Sequence, residues 1–469
     1  MAHPYTRGIA AFLLLFAATA SFAQAPMQAQ AQVADPPLPA QKPDYLLPLY
    51  EIIGFDLLVN RINYCCGTDR IDYAVTLDSI NHNLHSSWTV DRDPFSVNQL
   101  GHPYQGSMYY GFARSAGFNF WESAGYAVAG SALWEIAGER TPPSRNDMVS
   151  TGIGGTFLGE SLFRMASLVL EKGGGMNPFW RETVAAVVSP STAFNRYLQG
   201  HRPETVFSSR GAEYYSRLQL GLMGTVQNAQ GNSAANVRNE AQADFALDYG
   251  MPGKDGYQYR RPFDYFAFQA TATTANFVES LMTRGLLAGR DYKNGPNYRG
   301  IWGIYGSYDY ISPQTFRISS TALSLGTTGQ WRHDDVVVQG TAMAGLGYAA
   351  VGTINSAAPS VDRDYHYGVA PQALLAARAI FRDRSSLDLT LREYFVSDVG
   401  NRGGHDNIAR ADIAYTWRVK DQHAITVKYL WNRRDANYPD IGNRGQSRGT
   451  FGIFYTLLGH DHFGAVDWK

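Results

Sequence analysis

The sequence predicts a closed antiparallel transmembrane β-barrel of about twelve strands, preceded by a mainly helical periplasmic or lumenal region. Three observations carry this. From Gly211 to Leu458 the apolar residues recur at every second position, for far longer than one sheet of a soluble domain needs. Charged residues make up only 17% of the chain, whereas it holds 29 Tyr and 47 Gly, a balance that suits a β-rich membrane wall. The N-terminus reads as an export signal. Arg7 forms a short positive start, Ile9 to Ala20 an apolar core too short to span a bilayer, and Ser21-Phe22-Ala23 a small-x-small cleavage site. The expected mature chain starts at Gln24 and is addressed to the outer membrane. Residues 1–23 are then a signal peptide and 24–43, rich in Gln, Ala and Pro, a disordered linker.

The net charge of -1 points away from nucleic acid and from a polybasic membrane-surface anchor. The two cysteines, Cys65 and Cys66, are adjacent, which disfavours an unstrained bond between them. No spacing of Cys and His indicates zinc, so neither a metal nor a cofactor is expected.

Residues 44–200 form the expected helical region. Asp44 to Asn60 is apolar and fits either a short helix or an inserted strand; Asp69 to Trp88 has no clear period. Helices are expected over Gly106–Ala116 and Phe118–Ala137. A third, capped by Ser144 or Asn146, runs to about Leu170, and a short one lies within Pro178–Leu198. Phe118–Ala137 is barely long enough to cross a membrane and carries Glu122 and Glu135, so it reads as internal. The barrel occupies 201–458, and 459–469 is a tail. Asn228–Ala235, Gly352–Asp364 and Asp435–Gly445 read as loops. In the last strand, Thr450-x-Gly452-x-x-Tyr455-x-Leu457 matches the polar-x-Gly-x-x-aromatic-x-apolar signal read by barrel-insertion machinery, an expected partner together with outer-membrane lipid.

The central stretch holds charges inside apolar runs, which are costly unless paired. Its polar members are Asn98, Gln99, His102, Arg114, Glu122, Glu135, Glu139, Asp147, Glu160 and Arg164. Glu135 and Glu139 are four apart and share a helical face; Glu160 and Arg164, at the same spacing, suit an ion pair; Arg114 is placed to meet Glu122 or Glu135. One reading makes these a structural network. The other makes His102 with Glu122, Glu135 or Glu160 a proton-transfer or metal site. Gly152, Gly154 and Gly155 match no nucleotide fingerprint and read as a close-packing point. His405, Asp406, His460, Asp461 and His462 are a weaker metal signal in a loop and tail.

The strings NQLGHPYQGS at 98–107, WESAGYAVAGSALWEIAGE at 121–139, PSRNDM at 143–148 and GGTFLGESLFR at 154–164 resemble an uncharacterised Gram-negative outer-membrane family. That family is defined by a domain of unknown function (number 3943). The resemblance covers roughly 69–171 and implies an outer-membrane barrel context without an assigned activity or catalytic residue. Three functions therefore compete: a barrel with a helical plug in envelope transport, lipid handling or envelope organisation; an outer-membrane enzyme acting on lipid or cell-wall material through a His/Glu acid–base pair; and a purely structural membrane protein.

Overall fold

The computed structural model describes residues 44–468 apart from 68–69, 92, 174, 201–205, 231–238, 314, 353–362, 399–402 and 440–441. The expected signal peptide, its cleavage site and the linker lie outside the described residues. The described chain falls into two compact units. One runs through Lys172 and returns over Asn177–Ser208; the other is built from Ser209 onward, with Gly173–Met176.

The first unit is helical. Its elements are α1 (Leu46–Cys66), α2 (Leu77–His85), α3 (His102–Ser115), α4 (Phe120–Ala137), α5 (Arg145–Lys172), α6 (Pro178–Val188) and α7 (Pro190–Leu198). The ambiguous segment at Asp44–Asn60 is therefore a helix, and the unassigned one contains α2. A Thr76–Ser79 capping box starts α2, whose apolar residues Leu77, Ile80 and Leu84 are spaced three and four apart. Two wide, π-helical stretches, Val97–Gly101 and Met148–Gly154, lead into α3 and interrupt α5. There α3 and α5 cross backbone to backbone. A Cβ on Gly155 would lie 2.6 Å from the Gly106 Cα, so glycine is required at the crossing. By length and composition α5, rather than Phe120–Ala137, is the one described helix able to cross a membrane. Its apolar window is 89% buried inside the structure, which makes it the core helix of this unit.

The second unit is a closed antiparallel barrel of twelve strands, β1 (Tyr214–Gln230) through β12 (Gly442–Leu458), in sequence order with β12 pairing back onto β1. Leu220 faces Tyr455 across the closing seam. Strands such as β7 (Val336–Gly352) and β8 (Tyr365–Phe381) run well past the roughly ten tilted residues a bilayer needs. At one end the turns are tight. Asp334 and Asp421 take positive φ of 46° and 49° in two-residue hairpins. At the other end pairing reaches Tyr438↔Gly442, so most of Asp435–Gly445, expected as loop, is strand. The other two expected loops fall largely outside the described residues.

Period-two alternation gives the wall two chemistries. Outward are Leu220, Leu222, Trp302, Ile304, Leu323, Leu325, Leu346, Leu375, Ile413, Trp417 and Ile453, all exposed. Inward are charges. Arg378 on β8 reaches Asp388 at 2.7 Å and, across the barrel, Asp248 on β2 (Asn239–Tyr249) at 3.2 Å. β2 and β8 are six places apart in the ring of twelve, with five strands between them on either side, so this ion pair crosses the full lumen. Arg217 also meets Asp388 (3.3 Å), Arg392 meets Asp309 (3.5 Å), Lys428 meets Asp412 (3.1 Å) and Arg434 meets Asp406 (2.6 Å).

The tail does not trail into solvent. Phe463 is fully buried with inward-facing Tyr215, Val337, Ile380 and Ala424. Gln330 and Gln339 donate to the Val466 and Gly464 carbonyls at 2.6 and 2.7 Å, and the Val466 N–H donates to Gln330 at 2.9 Å. The connector between β2 and β3 (Phe266–Thr273) joins this cap: Arg299 donates to the Gly253 carbonyl (2.8 Å) and stacks on Trp468. Inside the wall Arg217, Asp248, Arg378 and Asp388 line a cavity of about 110 Å³.

Candidate functional site

The helical unit gathers its polar residues into three buried groups. The first surrounds Glu160, which is 0% exposed. It accepts from Arg114 Nε at 2.9 Å, Arg164 Nε at 2.7 Å and the Tyr110 hydroxyl at 2.7 Å. Both guanidiniums lie over the Phe207 ring, at 4.5 and 4.8 Å, and Arg114 also donates to the Phe118 carbonyl at 2.9 Å. Burial by itself would raise the Glu160 carboxyl, but the two guanidiniums outweigh it and hold it below the ordinary range. It stays ionised.

The second group forms where α4 ends and α5 begins. Glu135 accepts from the Ser144 N–H at 2.7 Å, while its other oxygen is buried without a hydrogen bond among the described residues. Ser144 donates to Asn146 (2.8 Å), Asn146 donates to Asp147 (3.0 Å), and the Asp91 N–H donates to Asn146 (2.8 Å). Asn98, from the first π-helical stretch, donates to Asp91 at 2.8 Å; Gln99 beside it is also buried. Asn83 of α2 closes the end of α4, donating to the Glu139 carbonyl at 3.1 Å. Unlike Glu160, these acids face one another. Burial first, then Glu139 and Asp147, push Glu135 up to about 10. Burial and Asp147 raise Glu139 well above the usual range. Burial lifts Asp147 to about 6, with the His102 imidazole pulling the other way. At neutral pH this group holds protons where the first holds arginines.

The third group is on α1. Asp56 accepts from the Tyr109 hydroxyl, which also accepts from Gln105 at 2.5 Å; Asn60 donates to the Tyr73 and Gly138 carbonyls at 3.0 and 2.8 Å. Burial raises Glu51 and Asp56 each to about 7.

Among the described residues, each of Glu122, Glu135 and Glu160, the candidate partners of His102, takes other hydrogen-bond partners. Glu122 is exposed at the start of α4, where it forms a capping box with Asn119. Glu160 belongs to the arginine pair, and Glu135 to the Ser144 corner. His102, nearly buried at the start of α3, acts electrostatically on Asp147 instead. The expected partners of Arg114, Glu122 and Glu135, are not the ones it takes. Its partner is Glu160, because α3 crosses α5 at Gly106 and Gly155. The expected Glu160–Arg164 pair is made. Glu139 lies past the end of α4 at Ala137, so it shares an electrostatic environment with Glu135 without sharing a helical face. Sequence reasoning missed Glu51, Asp56 and Asn60. The available signal was a lone acid in an apolar run, the same one that marked Glu160. No group of His, Cys, Asp and Glu among the described residues has the arrangement of a metal site. Cys65 and Cys66 are free and exposed at the end of α1. In the tail, His460 and His462 stack on each other (ring centroids 4.9 Å).

Residues 87–191 match the family described as "Domain of unknown function (DUF3943)". No curated protein matches the chain. Among solved structures, it is similar to a loop L8 deletion mutant of OmpT, an outer membrane protein of Vibrio cholerae. Identity is 11%, covering 53% of this chain and 99% of that one, with a TM-score of 0.22. The outer membrane channel DcaP of Acinetobacter baumannii also matches, at 11% identity over 52% and 97% of the two chains, TM-score 0.22. A third is the translocator domain of the autotransporter NalP from Neisseria meningitidis, at 14% identity over 58% and 99%, TM-score 0.20.

Proposed function

We propose that this chain is an outer-membrane protein whose barrel is a closed anchor rather than a diffusion pore, and whose helical unit handles envelope lipid. The observation that carries the reading is the filled lumen. An ion pair spans it from β2 to β8, and the tail seals the tight-turn end through Phe463 and Val466. The outward Leu, Ile and Trp face supports a hydrocarbon environment, because a closed barrel satisfies its own backbone there. In the last strand Phe451, Ile453 and Tyr455 face outward, which supports reading Thr450–Leu457 as a signal for insertion machinery. Within the barrel unit itself, the tail and the ion pairs occlude the lumen. The reading is tested by liposome swelling: sugars should not enter vesicles carrying the chain, and porin-like swelling overturns it. Removing 44–200 should leave the barrel heat-modifiable while abolishing the effect of the full chain on envelope lipid.

The enzymic alternative now rests on His102 with Asp147, whose carboxyl sits at about 6. His102→Ala and Asp147→Asn should each abolish lipid turnover in a folded protein if that alternative holds.

A further inference from the structure

Two helices of the helical unit, α1 and α4, carry polar residues inward and apolar ones outward. On α1 the inward face carries Glu51, Asp56 and Asn60, whereas from Leu46 to Leu58 the exposed residues are Leu46, Leu49, Tyr50, Ile53, Leu57 and Leu58, with Gly54 between them. No charged residue is exposed on this helix before Arg61. On α4 the buried side carries Ser123, Ser131 and Glu135, and past Glu122 its exposed positions are Gly125, Val128 and Ala129. The two helices share this surface. Ile52 of α1 lies against Gly130 of α4, and the Tyr126 hydroxyl donates to the Tyr45 carbonyl at 2.7 Å.

We propose that this α1–α4 face is a lipid-docking surface whose occupant is the acyl-chain layer of one leaflet of the bilayer that holds the barrel. The inference rests on the membrane reading above and adds to it where the helical unit sits. Three features select lipid. A water-facing helix places its charges outward, whereas here Glu51 and Asp56 point inward, Asp56 accepting from the Tyr109 hydroxyl. The apolar run Leu46–Leu58 is about 20 Å long, too short to cross a core of about 30 Å, so α1 lies along a leaflet. Its ends carry the residues of a water–lipid boundary: Tyr45 and Trp121 at one end and, at the other, Arg61 stacked on Tyr64 at 5.5 Å.

The test uses the full chain with Cys65→Ser and Cys66→Ser, reconstituted in phosphatidylethanolamine–phosphatidylglycerol vesicles. A nitroxide is placed at Ile53→Cys, Leu57→Cys or Val128→Cys. Leu222→Cys on the outward barrel wall and Lys420→Cys at a hairpin end serve as references. All five positions are surface positions, and heat-modifiable migration confirms folding of each sample. The ratio of collisions with oxygen to collisions with a water-soluble nickel chelate should be at least about fivefold higher at 53, 57 and 128 than at 420, and close to that at 222. If 222 is lipid-facing and the three helical positions meet the nickel chelate freely, this inference fails and the membrane reading stands. If the helical positions meet neither reagent, a protein surface covers them, a second copy of the chain included, and the inference fails. A water-facing 222 overturns the membrane reading itself.

Discussion

The barrel and the helical unit both bury charge, and they neutralise it in different ways. Inside the barrel every named acid has a cation within reach: Asp388 has Arg217 and Arg378, Asp309 has Arg392, Asp412 has Lys428. The helical unit uses that solution once, at Glu160. At the Glu135–Asp147 corner the acids face each other: Glu135 and Glu139 are kept neutral by bound protons instead, while Asp147, raised to about 6, ionises just below neutral pH. A buried acid with a cation is a fixed charge pair that punishes removal of either partner. A buried acid with a proton is already close to its own amide and responds to pH.

The sharpest contrast is between two isosteric changes on one unit. Glu160→Gln leaves two buried guanidiniums without their counter-charge, and should cost about 3–5 kcal/mol. Urea unfolding, read as proteolytic opening of 44–200 while the barrel stays heat-modifiable, measures it. Asp388→Asn comes next, at about 2–3 kcal/mol of barrel stability, less because Arg378 keeps Asp248. The check is the temperature at which the barrel band shifts on unboiled gels.

The pH response is smaller and of fixed sign. Glu51, Asp56, Glu135 and Asp147 titrate higher in the folded chain than in the unfolded one, so the folded state binds more protons. The stability these groups permit is full below about pH 4, and falls as pH rises through about 6, 7 and 10. The helical unit should therefore melt a few degrees lower at about pH 9 than at about pH 5, and Glu51→Gln with Asp56→Asn should flatten that slope. A rise in melting temperature toward alkaline pH would break the comparison. Smallest of all, at about pH 4 Glu135→Gln should change stability by no more than about 1 kcal/mol, because there it replaces a carboxyl that is neutral in the folded state and largely so in the unfolded one. A loss as large as that of Glu160→Gln would mean Glu135 is ionised.

The two regions also differ in how much of them the sequence discloses. Strand alternation is local: Leu220 and Leu222 outward with Gln219 inward already state the face, so the barrel was legible strand by strand. The helical network was legible as a set of charges and illegible as pairs. Whether Arg114 meets Glu135 or Glu160 depends on a backbone crossing at Gly106 and Gly155 that brings residues 46 positions apart together. Glu122 shows the opposite failure. Its spacing from Asn119 is a capping box, and local geometry claimed it before any site could. In the tail, eleven residues with two His and two Asp carry no local sign of burial. Phe463 and Val466 find their partners only once the barrel closes around them.

The account turns on a barrel that spans lipid and carries nothing through it. Planar-bilayer recording of the purified full-length chain tests this most directly. The account predicts no steady conductance from the intact protein, and a conductance that appears when 459–469 is removed and grows further with Asp388→Asn. A large, steady, porin-like current through the unaltered chain would contradict it.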